Sequence, residues 1–226
     1  MYEVEIGIIG ATGPQGSAIG ARLASIGYQI VLGSRSQEKA SQVAQDIIEA
    51  WPTHDLKIRG DLNEQAARCD LVVLATQWEA TVPTAMDLKG ELAGKTVVSM
   101  ANALVRSGRE FHALVPARGS IASWLQASLP DSKVVACLQH VPASELGAVD
   151  RECSCDVLVC SDFDDAAGQV SSILDLVPGM RTIHCGSLSA SFAIESLTAV
   201  LLTINLKYKT RSSVKISGVG LKPEAP

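Results

Sequence analysis

Three glycines, Gly10, Gly13 and Gly16, stand three residues apart between the apolar stretch Ile6-Gly7-Ile8-Ile9 and an alanine-rich stretch that begins at Ser17. This pattern suits a strand that turns sharply, brings its backbone against a ligand and enters a helix packed close to the strand. The N–H groups and positive dipole end of such a helix bind phosphate. A second set of residues, Ser34 and Arg35 with Lys39 one helical turn on, follows the apolar run Gln29–Leu32. In a dinucleotide-binding fold the end of this second strand faces the adenosine ribose. An Asp or Glu there accepts bonds from the ribose hydroxyls and repels a 2′-phosphate, whereas an arginine fork binds the phosphate. The pattern therefore favours NADP over NAD.

These residues need strands that end on one edge of a sheet. Leu71-Val72-Val73-Leu74-Ala75 is a continuous apolar run, the mark of a central parallel strand covered on both faces. In a doubly wound sheet it lies beside the first strand, so Thr76-Gln77-Trp78-Glu79 comes near the cofactor. Trp78 either lines the pocket or half-fills the core. Thr96–Met100 and Val134–Leu138 read as further strands, placing Asn102, Leu104 and His140 in the same row of loops. The spacing predicts helices over Ser17–Ile26, ended by Gly27, and over Gln37–Ala50, capped by Ser36. Asp61-Leu62-Asn63-Glu64 has capping-box spacing for a short helix to Arg68. Further helices are expected over Val82–Leu92, Ser120–Leu129 and Ala166–Val177, with strands over Lys57–Arg59, Asp156–Ser161 and Arg181–His184. Arg106, Gly108 and Arg109 read as a loop. Leu188–Leu206 is apolar almost all round, which predicts a buried helix packed on the main domain or on a second subunit.

The fold class expected is α/β: a Rossmann-like, doubly wound, mostly parallel sheet over residues 1–148, with a small C-terminal α/β subdomain over 149–226. A length of 226 residues and an apolar share near half support a sizeable core. The net charge of −5 argues against a general nucleic-acid binder. No apolar run reads as long enough to span a membrane, and Met1-Tyr2-Glu3-Val4-Glu5 lacks the features of a signal peptide, so a cytoplasmic location is expected. Cys69, Cys137 and Cys160 border apolar runs and act as small hydrophobes, while Cys153 and Cys155 lack the companions of a zinc site. No metal is expected. The tail Lys207-Tyr208-Lys209-Thr210-Arg211, with Lys215 and Lys222, is locally basic, either as a solvated tail or as an anion-binding rim.

Gly10-Ala11-Thr12-Gly13-Pro14-Gln15-Gly16, Leu32-Gly33-Ser34-Arg35-Ser36, Gln77-Trp78-Glu79, Val134 to Ala143 and Ile194-Glu195-Ser196-Leu197-Thr198 together resemble the NADPH-dependent reductases of the deazaflavin coenzyme F-420. The resemblance implies that Thr12, Gly13, Pro14 and Gln15 hold the NADP pyrophosphate and that Ser34, Arg35 and Lys39 hold the 2′-phosphate. Thr76 and Trp78 would border the nicotinamide side. Asn102, Leu104, His140, Val141 and Pro142 would border the deazaflavin ring, in a cleft closed by the C-terminal domain. Members of that family carry histidine at the position of Gln139; here the histidine stands at 140. The activity implied is hydride transfer between NADP(H) and coenzyme F-420 as co-substrate. Ring cofactors carry that chemistry, so no catalytic side chain is assigned, and His140 is the candidate ring contact. Two other readings fit the residues: an NADP-dependent reductase of a small imine or carbonyl substrate, and a non-catalytic NADP-binding redox sensor. Tyr2, Tyr28 and Tyr208 are followed four residues later by Ile6, Leu32 and Ser212, so the Tyr-x-x-x-Lys pair of short-chain dehydrogenases is missing. A homodimer is compatible with the apolar C-terminal helix.

Overall fold

The computed structural model describes residues 4–219; the opening Met1-Tyr2-Glu3 and Lys222 of the tail lie outside the described residues. The chain alternates strand and helix through its first half: β1 (Glu5–Ile9), α1 (Pro14–Ser25), β2 (Gln29–Ser34), α2 (Gln37–Ala50), β3 (Ile58–Leu62), α3 (Asn63–Ala67), β4 (Leu71–Leu74), α4 (Trp78–Asp87), α5 (Lys89–Leu92) and β5 (Thr96–Ser99). A hairpin, β6 (Leu104–Ser107) and β7 (Glu110–Ala113), leads to α6 (Ile121–Ser128), β8 (Lys133–Ala136), α7 (Ala143–Leu146), β9 (Cys155–Ser161), α8 (Asp164–Leu174) and β10 (Met180–His184). A 3-10 turn, Leu188–Ala190, then enters α9 (Ser191–Tyr208).

Eight strands form one sheet in the order β10-β9-β8-β5-β4-β1-β2-β3. All neighbours are parallel except β8 and β9. The mostly parallel, doubly wound architecture is the one expected. β9 and β10 extend this same sheet beyond β8. Strands covered on both faces must be apolar on both sides. Ile6, Ile8, Val73 and Val98 accordingly face Ile19 and Leu23 of α1 and Val170 of α8, while Ile9, Val72, Leu74 and Val97 face the layer holding Leu125 of α6. Strand order reverses between β1 and β4, so the loops after β1, β2, β4 and β5 open on one edge.

Several elements differ from the sequence expectation. α1 begins at Pro14, because a proline at the first helical position has no N–H to lose and its fixed φ suits a helix. Asp61 does not open α3: β3 runs through Leu62, which takes the N-cap place, and the Asp61 carboxylate accepts from Leu62 N–H at 2.9 Å and pairs with Arg59. The helix expected over 82–92 starts earlier, at Trp78, and breaks after Asp87. Pro83 lies inside α4 and costs only the bond to the carbonyl of the exposed Glu79. Of the residues expected in a loop, Arg106 lies in β6 and pairs with Phe111, and only Gly108 and Arg109 form the β6–β7 turn, where Gly108 supplies a φ of +60°. β8 stops at Ala136 because Leu138 adopts φ 68°, which leaves the extended region. α9 is not buried all round: Ile194, Glu195, Thr198 and Ala199 are buried, whereas Val200 is 55 % exposed and Phe192 and Leu206 are also exposed. Contrary to the expectation that no apolar run reaches membrane-spanning length, the segment Leu188–Tyr208 is long and apolar enough to cross a membrane by length and composition. α9 packs against β7, α6 and the 3-10 turn before it, and Ser212 after it folds back onto Leu201 and Asn205.

Arg22 is the largest fully buried side chain. Its guanidinium, on α1, donates to five carbonyls: Nε to Leu146 (2.8 Å), Nη1 to Val149 (3.3 Å) and Arg151 (3.0 Å), and Nη2 to Glu145 (2.8 Å) and Ala148 (2.6 Å). Burial lowers its pKa, and the carbonyls replace the lost water. One side chain thus fastens the whole 145–151 segment under α1. Replacing Arg22 by Met leaves these carbonyls without their donor and should cost about 3–5 kcal/mol, lowering Tm by about 10 °C. Arg22→Lys, with three donors, should fall between. Thermal unfolding by circular dichroism measures both, and a shift under about 2 °C for Met would contradict this role. Gly7 is a second fixed point. A Cβ there would stand 1.8 Å from the Ala66 carbonyl oxygen, so Gly7→Ala should force α3 off β1 and destabilise the chain by more than about 2 kcal/mol, read from a denaturant midpoint.

Candidate functional site

The sheet edge at the carboxyl ends of β1, β2, β4 and β5 carries a cleft of about 1220 Å³. Its floor is the turn from β1 into α1. Gly10 has φ +83°, and a Cβ on it would come within 2.8 Å of the Thr76 side chain and 2.9 Å of the Thr76 nitrogen. Only glycine satisfies both constraints. Gly13 closes the turn by donating to the Gly10 carbonyl at 3.2 Å, and a Cβ there would meet nothing nearer than 3.5 Å, so its face is open to the cleft. Gly16 lies beneath: a Cβ would sit 2.7 Å from Ala11, and the residue packs the helix down without lining the cleft. α1 has no side-chain cap and no acid in its first turn. Its dipole end and the N–H groups of Gln15 and Gly16 are therefore left for an external anion. Thr12, Pro14 and Gln15 line the same floor.

At the end of β2, Ser34, Arg35, Ser36 and Lys39 line the cleft. Ser36 N–H donates to Ser34 Oγ at 3.3 Å, and Ser36 Oγ accepts from Lys39 N–H at 3.3 Å, so the β2–α2 turn is fixed by its own hydroxyls. Arg35 and Lys39 are exposed, and among the described residues neither makes an ion pair. Asn63, at the start of α3, also lines this end, and its Oδ1 is buried without a donor. Sequence reading missed it, although the end of β3 lies beside the end of β2 and could have been searched for an acceptor.

The other wall comes from β4 and β5. Thr81 Oγ donates to the Gln77 carbonyl at 3.0 Å, which leaves Thr76 Oγ1 to donate to Thr81 Oγ at 2.9 Å. Thr76 and Trp78 line the cleft, and Trp78 packs against Ala101, Ala103 and Ile121. Its two candidate roles, pocket wall and half-buried packing, are both filled. Asn102 and Leu104 line the cleft too, and Asn102 Nδ2 donates to the Gln139 carbonyl at 3.0 Å, leaving Asn102 Oδ1 buried and unpartnered. Met100 and Ala101 are lining residues that the strand expectation hid, because it placed Met100 within β5.

The segment after β8 does not join them. His140 is 4 % exposed, and its Nε2 lies 2.9 Å from the Asp156 carbonyl. That carbonyl only accepts, so the proton sits on Nε2 and Nδ1 keeps a lone pair that is buried without a donor. Burial pushes the His140 pKa down and keeps the ring neutral. Val141 is buried and Pro142 half-buried, both outside the lining. They are tied to it from behind, because Gln15 Nε2 donates to the Val141 carbonyl at 3.2 Å. His140, expected to border the deazaflavin ring, thus lies buried behind the turn at Leu138 and outside the lining of this cleft.

Comparison with known proteins shows the family of the chain. Residues 5–103 match the family described as NADP oxidoreductase, coenzyme F-420-dependent. The F-420-dependent NADP reductase of Methanocaldococcus jannaschii is 36% identical over 215 residues, 93% of this chain and 96% of that protein. The protein of the same name from Methanothermobacter marburgensis is 30% identical over the same shares. Among solved structures, an inferred F-420-dependent NADP reductase from Arthrobacter sp. FB24 has the same fold, with a TM-score of 0.81 at 23% identity, covering 95% of this chain and 99% of that one. The near-complete coverage and the identity of the archaeal relatives decide the matter: this chain belongs to the family of F-420-dependent NADP reductases.

Proposed function

We propose that the chain transfers a hydride between NADP(H) and the deazaflavin coenzyme F-420, both bound in the cleft. The observation that carries the NADP half is the uncapped, acid-free N-terminus of α1 facing the same cleft as Arg35 and Lys39. One end suits a pyrophosphate and the other a 2′-phosphate. The residues present fit the nucleotide: an open face at Gly13, unpaired cations at the end of β2, and a buried Asn63 acceptor. The nicotinamide and the deazaflavin supply the hydride donor and acceptor.

The protein's work is then binding, orientation and exclusion of water. Gly10, Thr12, Gly13, Pro14 and Gln15 hold the pyrophosphate, with Gly16 packing the helix beneath it. Ser34, Arg35 and Lys39 hold the 2′-phosphate. Thr76 and Trp78 border the nicotinamide, and Asn102 and Leu104 border the deazaflavin. His140, Val141 and Pro142 support that wall from behind. Residues 149–226 act as the smaller unit that closes the deazaflavin side. The exposed apolar side of α9 supports a homodimer through that helix.

Mixing the protein with NADPH and oxidised deazaflavin and following loss of the visible absorbance tests the activity directly. Bleaching must require both the protein and NADPH. Retained NADPH binding without bleaching would reject the deazaflavin as substrate. Arg35→Asp should weaken NADPH about 10- to 100-fold and leave NADH nearly unaffected, by fluorescence titration. An unchanged preference for NADPH would remove Arg35 from the phosphate site.

A further inference from the structure

Among the described residues, α9 contributes one buried carboxylate that nothing in the nucleotide site uses. Glu195 is 3 % exposed. Its Oε2 accepts from Ile121 N–H at 2.9 Å and its Oε1 from Ala122 N–H at 3.1 Å, the first two amides of α6. Both oxygens of one acid, carried by a helix more than seventy residues further along the chain, thus tie down the start of another helix. The same joint holds two buried hydroxyls, Ser191 donating to Ser120 at 2.6 Å. One turn on from Glu195, Thr198 donates to the Gln139 carbonyl at 3.2 Å, the carbonyl that Asn102 of the cleft also uses. Ile121, whose amide Glu195 holds, packs against Ala101, Ala103 and Trp78.

We propose that Glu195 is a positioning residue for the deazaflavin side of the cleft: its carboxylate locks α9 to α6 and so fixes the wall made by Ala101, Asn102 and Trp78. This rests on the functional reading above for the identity of the ligand on that wall, and goes beyond it in naming what holds the wall in place. Two N–H donors need two acceptor oxygens. The ionised acid supplies them; the protonated acid turns one oxygen into a hydroxyl, a poorer acceptor, and loosens one amide. Burial pushes the Glu195 pKa up to about 7, against the pull of the two amides. The elements packed most closely on α9 are β7, α6 and the 3-10 turn before it, and the segment after it meets only its far end, through Ser212 on Leu201 and Asn205, with Arg211 paired to Glu145. α6 and the turn carry no titratable side chain, and β7 brings only the exposed pair Glu110 and His112. The lock therefore closes as pH rises through neutrality and opens below it.

Two measurements test this. In amide NMR spectra of the unmodified chain, the Ile121 and Ala122 N–H signals should move together with a single midpoint near 7, and pH-independent signals would overturn the lock. In steady-state assays with saturating NADPH, Glu195→Gln should raise the deazaflavin KM about fivefold at about pH 8 with a smaller change in kcat. The ratio of variant to wild-type KM should fall towards one at about pH 6, because the wild type has then lost its carboxylate too. Titrations of the substrate and of its phosphates are common to both proteins and cancel in that ratio. Glu195→Asp, a shorter carboxylate, should recover part of the pH dependence that Gln abolishes. A ratio that is flat with pH in an active enzyme would overturn the role of Glu195 alone, whereas no turnover by the wild type would overturn the functional reading on which the ligand depends.

Discussion

The structure depends on how closely the backbone passes itself around β1. Gly7 leaves no room for a side chain against the Ala66 carbonyl, Gly10 none against Thr76, and Gly16 none against Ala11. These contacts bring α3, the end of β4 and the start of α1 to within van der Waals distance of one strand. As a result the helix dipole of α1 ends at the switch point of the sheet, where β1 and β4 part. A methyl group at any of the three positions would move the start of α1 relative to the cations at the end of β2.

The rest of the cleft is held by polar ties made at long range along the chain. Arg22 on α1 gathers carbonyls from the end of α7 and the segment after it, Gln15 reaches the Val141 carbonyl, and the Gln139 carbonyl takes both Asn102 and Thr198. Asp156, fully buried, pairs with Arg181 and accepts from the Ile216 amide, while its own carbonyl meets His140. Arg181 holds the Asp156 carboxyl well below the ordinary range. The ties of Arg22, Gln15 and Asn102 join the first half of the chain to segments beyond β8, and those of Thr198, Asp156 and His140 bind those later segments to one another. The wall of the cleft at Asn102 is thus backed by a second row of bonds, and His140 belongs to that row.

Much of this was legible from residue types. The glycine turn and the continuous apolar run at 71–75 each follow from local chemistry: a turn that needs positive φ and a strand that needs cover on both faces. Ser36 as the cap of α2 follows likewise, and its Oγ does accept from the Lys39 amide. What was not legible came from contacts between distant segments. The apparent capping box at Asp61 failed because β3 pairs with β2 through Leu62 and keeps that residue extended. The β6–β7 hairpin was read as a loop because its strands are short and mostly polar, and it gains support from packing on α9, where the Phe111 amide donates to Thr203.

By itself the sequence determined the glycine turn after β1, the place of Ser34 and Arg35 at the end of β2 and the parallel sheet that brings their loops to one edge. These are set within a few residues by backbone conformation, charge and burial pattern. Tertiary structure alone decided which loop residues reach the cleft. Leu138 turns left-handed and takes His140 inside, Asn102 stays at the wall by bonding to Gln139, and Glu195 crosses from α9 to cap α6. The direction of a side chain at the end of a strand depends on what the neighbouring segments leave unpaired, and those neighbours lie far away in the chain.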